Sequence, residues 1–435
     1  MNANKSSLST RFGACGLVGL SSLVAAFYGC SSSSSTPNPA QPTDAGTDSA
    51  ATPDSTTVTP PGPDAGDGGM MTTPSPDSST ALIKQKVTQT NLFADAVDGG
   101  APNVDPNLVN PWGLTFNPSG IAWVADNHAG VLTLYKANMA TPVPLVVQVP
   151  LPDGGGGALY PALDSGMLSA PTGQIFNASA AVPDAGTTGD FMGDFFIVSA
   201  EDGTISGWNP TLTDMTKAAL RVDKSSGGAV FKGLAIVPTT PPFLVAADFA
   251  NGVIDAWDAN YAPIAAVTGK WVDTTVPAGF APFNIVVSGT NVFVAYAKQN
   301  AAKHDDVAGV GNGAISVFDF TGTLVKSLIP QSTTSVLNSP WGMAFVGTGG
   351  WGSLTAGTLL VGNFGDGGIH AYNATTGALL GTLVDSTSAD LHIKGLWSLI
   401  WGANAPDAGA TPNQLFFTSG PNMEANGLFG YLTAP

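Results

Sequence analysis

The chain has 435 residues, 43% apolar and only 10% charged, with 54 glycines, 33 prolines and a formal net charge of −17. Two of the 14 basic residues, Lys5 and Arg11, precede Cys30 and all 31 acidic residues follow it, which leaves a net charge near −19 beyond that point. This composition excludes the basic surface that nucleic acid requires, and with Cys15 and Cys30 the only cysteines, the folded body has no disulfide and must rely on a large core.

Residues 1–30 read as a targeting segment, with Lys5 and Arg11 as its positive start and Gly13 to Gly29 as an apolar run too short to span a membrane comfortably. Cys30, followed by five serines, resembles a bacterial lipoprotein cleavage and lipidation site, although Phe27 and Tyr28 stand where an aliphatic and a small residue are usual. Ordinary secretory cleavage is the alternative. Either outcome places the protein outside the cytoplasm, at an outer membrane or cell surface through the lipid alone, or secreted. Residues 31–82 are Ser, Thr, Pro, Asp and Gly, which cannot bury enough surface to offset chain entropy, so a disordered tether is expected.

From residue 83 onward the chain repeats. Val124-Ala125-Asp126-Asn127-His128-Ala129-Gly130-Val131 returns as Val198–Ile205, Ala246–Val253 and Val361–Ile369, with looser copies from Val294 and Phe417. Each copy reads as a strand, a polar turn ending in Gly and a second strand. A second motif precedes each copy: Pro111-Trp112-Gly113-Leu114, Pro171-Thr172-Gly173-Gln174, Lys232-Gly233-Leu234, Pro282-Phe283-Asn284-Ile285, Pro340-Trp341-Gly342-Met343 and Gly395-Leu396-Trp397. Five intervals of about 57 residues separate the six copies. A fixed-period strand unit means a radial array, so the expected fold is an all-β, six-bladed β-propeller over residues 83–435. Blade four sets the pattern, with strands expected at 283–287, 291–297, 314–320 and 323–328. The last unit has only three strands before the chain stops. Lys86–Phe93, which belongs to no blade, is expected to supply the missing outer strand and close the ring.

Strand order places the turns between second and third strands, and the connections into each inner strand, at one end of the ring. Asp126, Asn127, Glu201, Asp248 and Asn363 lie on those segments, and so does His304-Asp305-Asp306. Two readings compete for them. They form a ligand or cation site at the channel mouth, for Ca2+ or another divalent cation, or they are the Asp and Asn that tight turns require. His304, Asp305 and Asp306 depart most from the turn expectation and are the candidate metal ligands. Trp112 and Trp341, at the start of inner strands, are read as packing between blades or as a stacking platform for a flat ligand.

Several segments resemble an uncharacterised family of secreted bacterial proteins. They are Thr90-Asn91-Leu92, Asp105–Leu114, Ala125-Asp126-Asn127, Tyr296–Gln299, Lys303–Gly309, Gly311-Asn312-Gly313, Gly395-Leu396-Trp397, Phe416–Asn422 and Gly427–Gly430. The resemblance covers roughly residues 87–432 and implies an NHL-type six-bladed propeller, with no established activity. Comparison with propellers of the gluconolactonase type argues against their chemistry, because Trp112, Thr172, Phe283 and Trp341 stand where that family has carboxylate or carboxamide ligands. No His-Glu-x-x-His, Gly-x-Ser-x-Gly or phosphate-loop pattern is present. The expected function is a monomeric binding module whose loop-rich face contacts a protein or a glycan. The alternative is a metal-assisted hydrolase or lyase, which requires three or four oxygen or imidazole donors around one point.

Overall fold

The computed structural model describes residues 81–180 and 189–435. The targeting segment, Cys30, nearly all of the tether and most of the 183–190 insertion lie outside the described residues. Six small antiparallel sheets surround an axis, each beginning with an inner strand: Pro111–Phe116, Pro171–Phe176, Phe231–Val237, Phe280–Ser288, Pro340–Phe345 and Leu396–Trp401. Neighbouring inner strands pack against one another around the whole ring, the sixth against the first. The fold is a six-bladed β-propeller. Among the described residues, no helix is long and apolar enough to cross a membrane.

Blade four follows the expected pattern, with strands at Phe280–Ser288, Asn291–Lys298, Gly313–Phe318 and Leu324–Ile329. Blade three has three strands, ending at Val253–Asp258. Pro263 lies where a fourth strand would follow, and the Ile264 N–H donates to Ala256 O at 2.8 Å without a ladder forming. Closure occurs as expected. Thr88–Ala94 pairs antiparallel with Leu428–Thr433 and becomes the fourth strand of blade six. The preceding strand, Ile83–Lys86, pairs parallel with Leu379–Val384 of blade five, so the first two described strands fasten two adjacent blades. Sequence periodicity missed this first strand because four residues, two of them lysine, carry no readable alternation.

The second repeated motif has a structural reason. All six inner strands shift register within it, between Pro111 and Leu114 in blade one and at the matching place in every other blade. A bulge of this kind bends the strand and increases its local twist. The residue after the bulged one must let the next blade approach. A Cβ on Gly113 would stand 2.4 Å from Thr172 O, and one on Gly342 would stand 2.6 Å from Trp397 O. In blades four and six that place holds a small donor instead. Asn284 Nδ2 donates to Trp341 O at 2.7 Å, and Ser398 Oγ to Trp112 O at 2.8 Å. Each blade is therefore fitted to the main chain of the next.

Candidate functional site at the channel mouth

The axial residue of the motif is Trp112, Thr172, Lys232, Phe283, Trp341 and Trp397 in blades one to six. Four of the six are aromatic and they close the channel. Trp112 and Trp397 stack with ring centroids 3.5 Å apart, and Phe364 stacks on Trp397 at 3.8 Å. Trp341 meets Trp112 and Trp397 edge-on at 6.1 and 6.0 Å, while Phe283 joins Trp112 at 6.4 Å and Phe249 at 5.2 Å. Trp112, Trp341 and Trp397 are all buried. Their faces are spent on one another, so they serve as a packed plug and not as an open stacking platform.

Lys232 is the exception in this ring, and its side chain is 1% exposed. A buried ammonium requires compensation. Here Nζ pairs with Glu201 Oε1, and it lies 5.0 Å from the Trp112 ring centroid and 5.7 Å from that of Phe249. Glu201 is positioned in turn by a hydrogen-bonded chain across blades. Asn127 Nδ2 donates to Glu201 Oε2 at 3.0 Å, and Asn110 Nδ2 donates to Asn127 Oδ1 at 3.2 Å and to Glu424 Oε2 at 2.7 Å. Trp397 Nε1 donates to Asn110 Oδ1 at 3.0 Å, which ties the chain to the plug. Asn422, Met423 and Glu424 all have positive φ, and Asn110, immediately before Pro111, has φ 48°. Such backbone is costly for these residues, and here it sets two of the polar side chains of the mouth.

The long turn of blade four completes the cup. His304 Nδ1 and Asp305 Oδ1 are 2.7 Å apart, and Asn300 Nδ2 holds Asp305 Oδ2 at 3.1 Å. One donor atom each from Glu201, His304 and Asp305 lies within 4.8 Å of the others, a span compatible with a common cation. The hydrogen bond to Asp305 raises the His304 pKa, and the same bond lowers that of Asp305. Burial raises Asp306, whose Oδ2 has no hydrogen-bond partner. Burial also pushes Glu424 up to about 7, with the Glu201 charge adding to the effect.

The structure thus unites Asn127, Glu201, His304, Asp305 and Asp306 at one mouth. Three other candidates are placed differently. Asp126 is fully buried, accepts from Thr133 Oγ1 at 2.6 Å, and is held well above the ordinary carboxylate range by burial. Asp248 accepts from Val230 N, Asn251 N and Asn251 Nδ2, and Asn363 accepts from Asn338 N and donates to Val336 O. All three end second strands. Asp248 and Asn363 also pin the connection into their own blade, as the turn reading expects, whereas Asp126 bonds to Thr133 on the third strand and its Oδ1 has no partner. Lys232 went unnoticed in the sequence. The available signal was its alignment, since a lysine shares a register position with four aromatics and a threonine. Glu424 shared the predicted face, but its link to Asn110 spans more than 300 residues and leaves no local mark.

A six-bladed β-propeller with an acidic, dead-ended axial cup is the class that these features define. No family model matches the chain. It is similar to two uncharacterized proteins of Acanthamoeba polyphaga mimivirus. One is 27% identical over 336 residues, covering 76% of each chain, and the other is 27% identical over 344 residues, covering 76% of this chain and 82% of that one. Among solved structures it is similar to a luciferin-regenerating enzyme, with 13% identity, a TM-score of 0.46, and coverage of 75% of this chain and 92% of the other.

Proposed function

We propose that the protein is an extracytoplasmic binding module whose axial cup takes a divalent cation between Glu201, His304 and Asp305. The observation that carries this reading is the convergence of their donor atoms within 4.8 Å. The cup is dead-ended by the plug, so a ligand enters and leaves by one face. Glu201 is prepositioned by Lys232 and Asn127, while His304 and Asp305 are 47% and 62% exposed. Two exposed ligands on a loop fit a modest, exchangeable site better than a permanently occupied structural one. A cation held there would offer its open positions to carboxylate or hydroxyl groups of a protein or glycan. The charged start, the apolar run and Cys30 support display outside the cytoplasm, with residues 31–82 as the reach of the anchor.

Calorimetric titration of the full chain with Ca2+, Mn2+ and Zn2+ tests this. One site per chain is expected for at least one ion, with affinity lost in Glu201→Gln and in His304→Ala. No binding of any of the three ions to the unsubstituted protein would sink it. A second reading, metal-assisted hydrolysis or elimination, is favoured by one observation. Glu424, at about 7, can both hold and release a proton near neutrality beside the proposed cation. Ion-dependent turnover of p-nitrophenyl esters that disappears in Glu424→Gln, with ion binding retained, would replace the first reading with the second.

A further inference from the structure

The plug divides the axis, and its far side is hollow. Within four residues of the axial positions, the inner strands of all six blades line a cavity of about 330 Å3. None of its lining residues is charged, and most are aliphatic, with Leu234, Ile285 and Met343 among them. Polar side chains are few, and those of Asn284 and Ser398 are already engaged. Asn284 Nδ2 donates to Trp341 O and its Oδ1 accepts from the Ile285 N–H, and Ser398 Oγ donates to Trp112 O.

Gln174 is the exception. It is 8% exposed and lines the cavity, and neither its Oε1 nor its Nε2 has a hydrogen-bond partner. Its register neighbours Leu114, Leu234, Ile285, Met343 and Leu399 are apolar, so packing alone does not call for a carboxamide there. Trp341 lines the same space, and its buried indole N–H is also unpartnered. Buried polar groups without partners are costly and uncommon, and in a roomy site they mark the place of a missing partner. An apolar cavity of a few hundred Å3 with a small number of free polar groups is the usual form of a small-molecule site.

We infer that this cavity is a second binding site, independent of the mouth, for a neutral and largely apolar small molecule carrying an adjacent hydrogen-bond donor and acceptor, as a lactam or cyclic imide does. A carboxamide meets such an edge with two parallel hydrogen bonds, N–H to carbonyl in each direction. Charged ligands are disfavoured, since nothing in the lining compensates a charge.

Titration with the bicyclic lactam 3,4-dihydroquinolin-2(1H)-one tests this, read by calorimetry and by the Gln174 side-chain amide signal in 15N–1H correlation spectra. Saturable binding that shifts this signal is expected, with at least tenfold weaker binding of the N-methyl lactam, which needs no variant protein. Gln174→Met, close in shape, should lose at least tenfold in lactam affinity and supplies the signal's assignment. Absence of lactam binding at millimolar concentration overturns the inference and leaves water as the partner of Gln174. Equal binding of the two lactams, or equal binding to the unsubstituted chain and to Gln174→Met, overturns it as well.

Discussion

On one side of the aromatic plug the axis is crowded with charge: Lys232, Glu201, Glu424, His304, Asp305 and Asp306, cross-linked by Asn110 and Asn127. On the other side, within four residues along the same strands, it is neutral and mostly aliphatic, with Gln174 alone holding a free carboxamide. The two halves are built by different parts of the same repeated unit. The mouth draws its groups from turns, whose lengths and residues vary freely between blades. The cavity is made of inner strands, whose side chains must also fit the neighbouring blade. Variation in the turns can therefore create charge clusters at little structural cost, while a polar group on an inner strand is an anomaly that needs a reason.

The partition between the halves should fail first at Trp397, which is 1% exposed and stacked between Trp112 and Phe364. Trp397→Ala removes the centre of the plug and releases Asn110, and a loss of about 4 kcal/mol is expected in denaturant unfolding. A loss under about 1 kcal/mol would mean that the plug does not separate the two chemistries. Lys232→Met comes next. It leaves Glu201 largely buried without its ammonium, at a cost of about 3 kcal/mol. Glu201→Gln added to it should restore part of that loss, because the uncompensated charge is then gone. An additive double variant would show that the pair is not coupled.

An effect of similar size comes from Glu424 and follows pH. Its folded pKa, about 7, is above the unfolded value near 4.5, so the fold favours the protonated form. The contribution is fully present below pH 4.5 and is lost as pH rises through 7. Relative to Glu424→Gln, the unsubstituted protein should lose about 3 kcal/mol between pH 4.5 and 8. The difference between the two unfolding curves isolates this group from the other carboxylates. A flat difference would place Glu424 in solvent and remove it from the cup.

The architecture was legible because its signals are local and repeated six times. The motifs that begin at Pro111 and Val124 recur at roughly regular spacing, and the deficit of one strand in the last unit pointed to Lys86–Phe93. The cup was legible only where several unusual residues adjoin, as in His304-Asp305-Asp306. Asp126, Asp248 and Asn363 look the same in sequence as Asn127 and Glu201, yet the first three bond within their own blades. Whether a turn residue bonds inward or across to the next blade depends on the main-chain path, which periodicity does not encode. Gln174 stands out in the inner-strand motif as the one polar residue in register with Leu114 and Leu234, but that its carboxamide lacks a partner is visible only in three dimensions.

The finest test of the contrast between the halves is His304→Ala, because it separates binding from stability. His304 is about half exposed and lies on a turn, so its removal should change unfolding free energy by less than about 0.5 kcal/mol. The same change should weaken divalent-ion affinity at least tenfold in the calorimetric titration. Asp305 raises the His304 pKa by hydrogen bonding, so a proton competes with the cation for the imidazole. Affinity in the unsubstituted chain should therefore increase as pH rises from 6 to 8, and this increase should shrink in His304→Ala. Lactam binding beyond the plug should be indifferent to the substitution and to pH over the same range. A His304→Ala protein that binds ions as tightly as before would move the cation away from the cup and leave its carboxylates as partners of Lys232 alone.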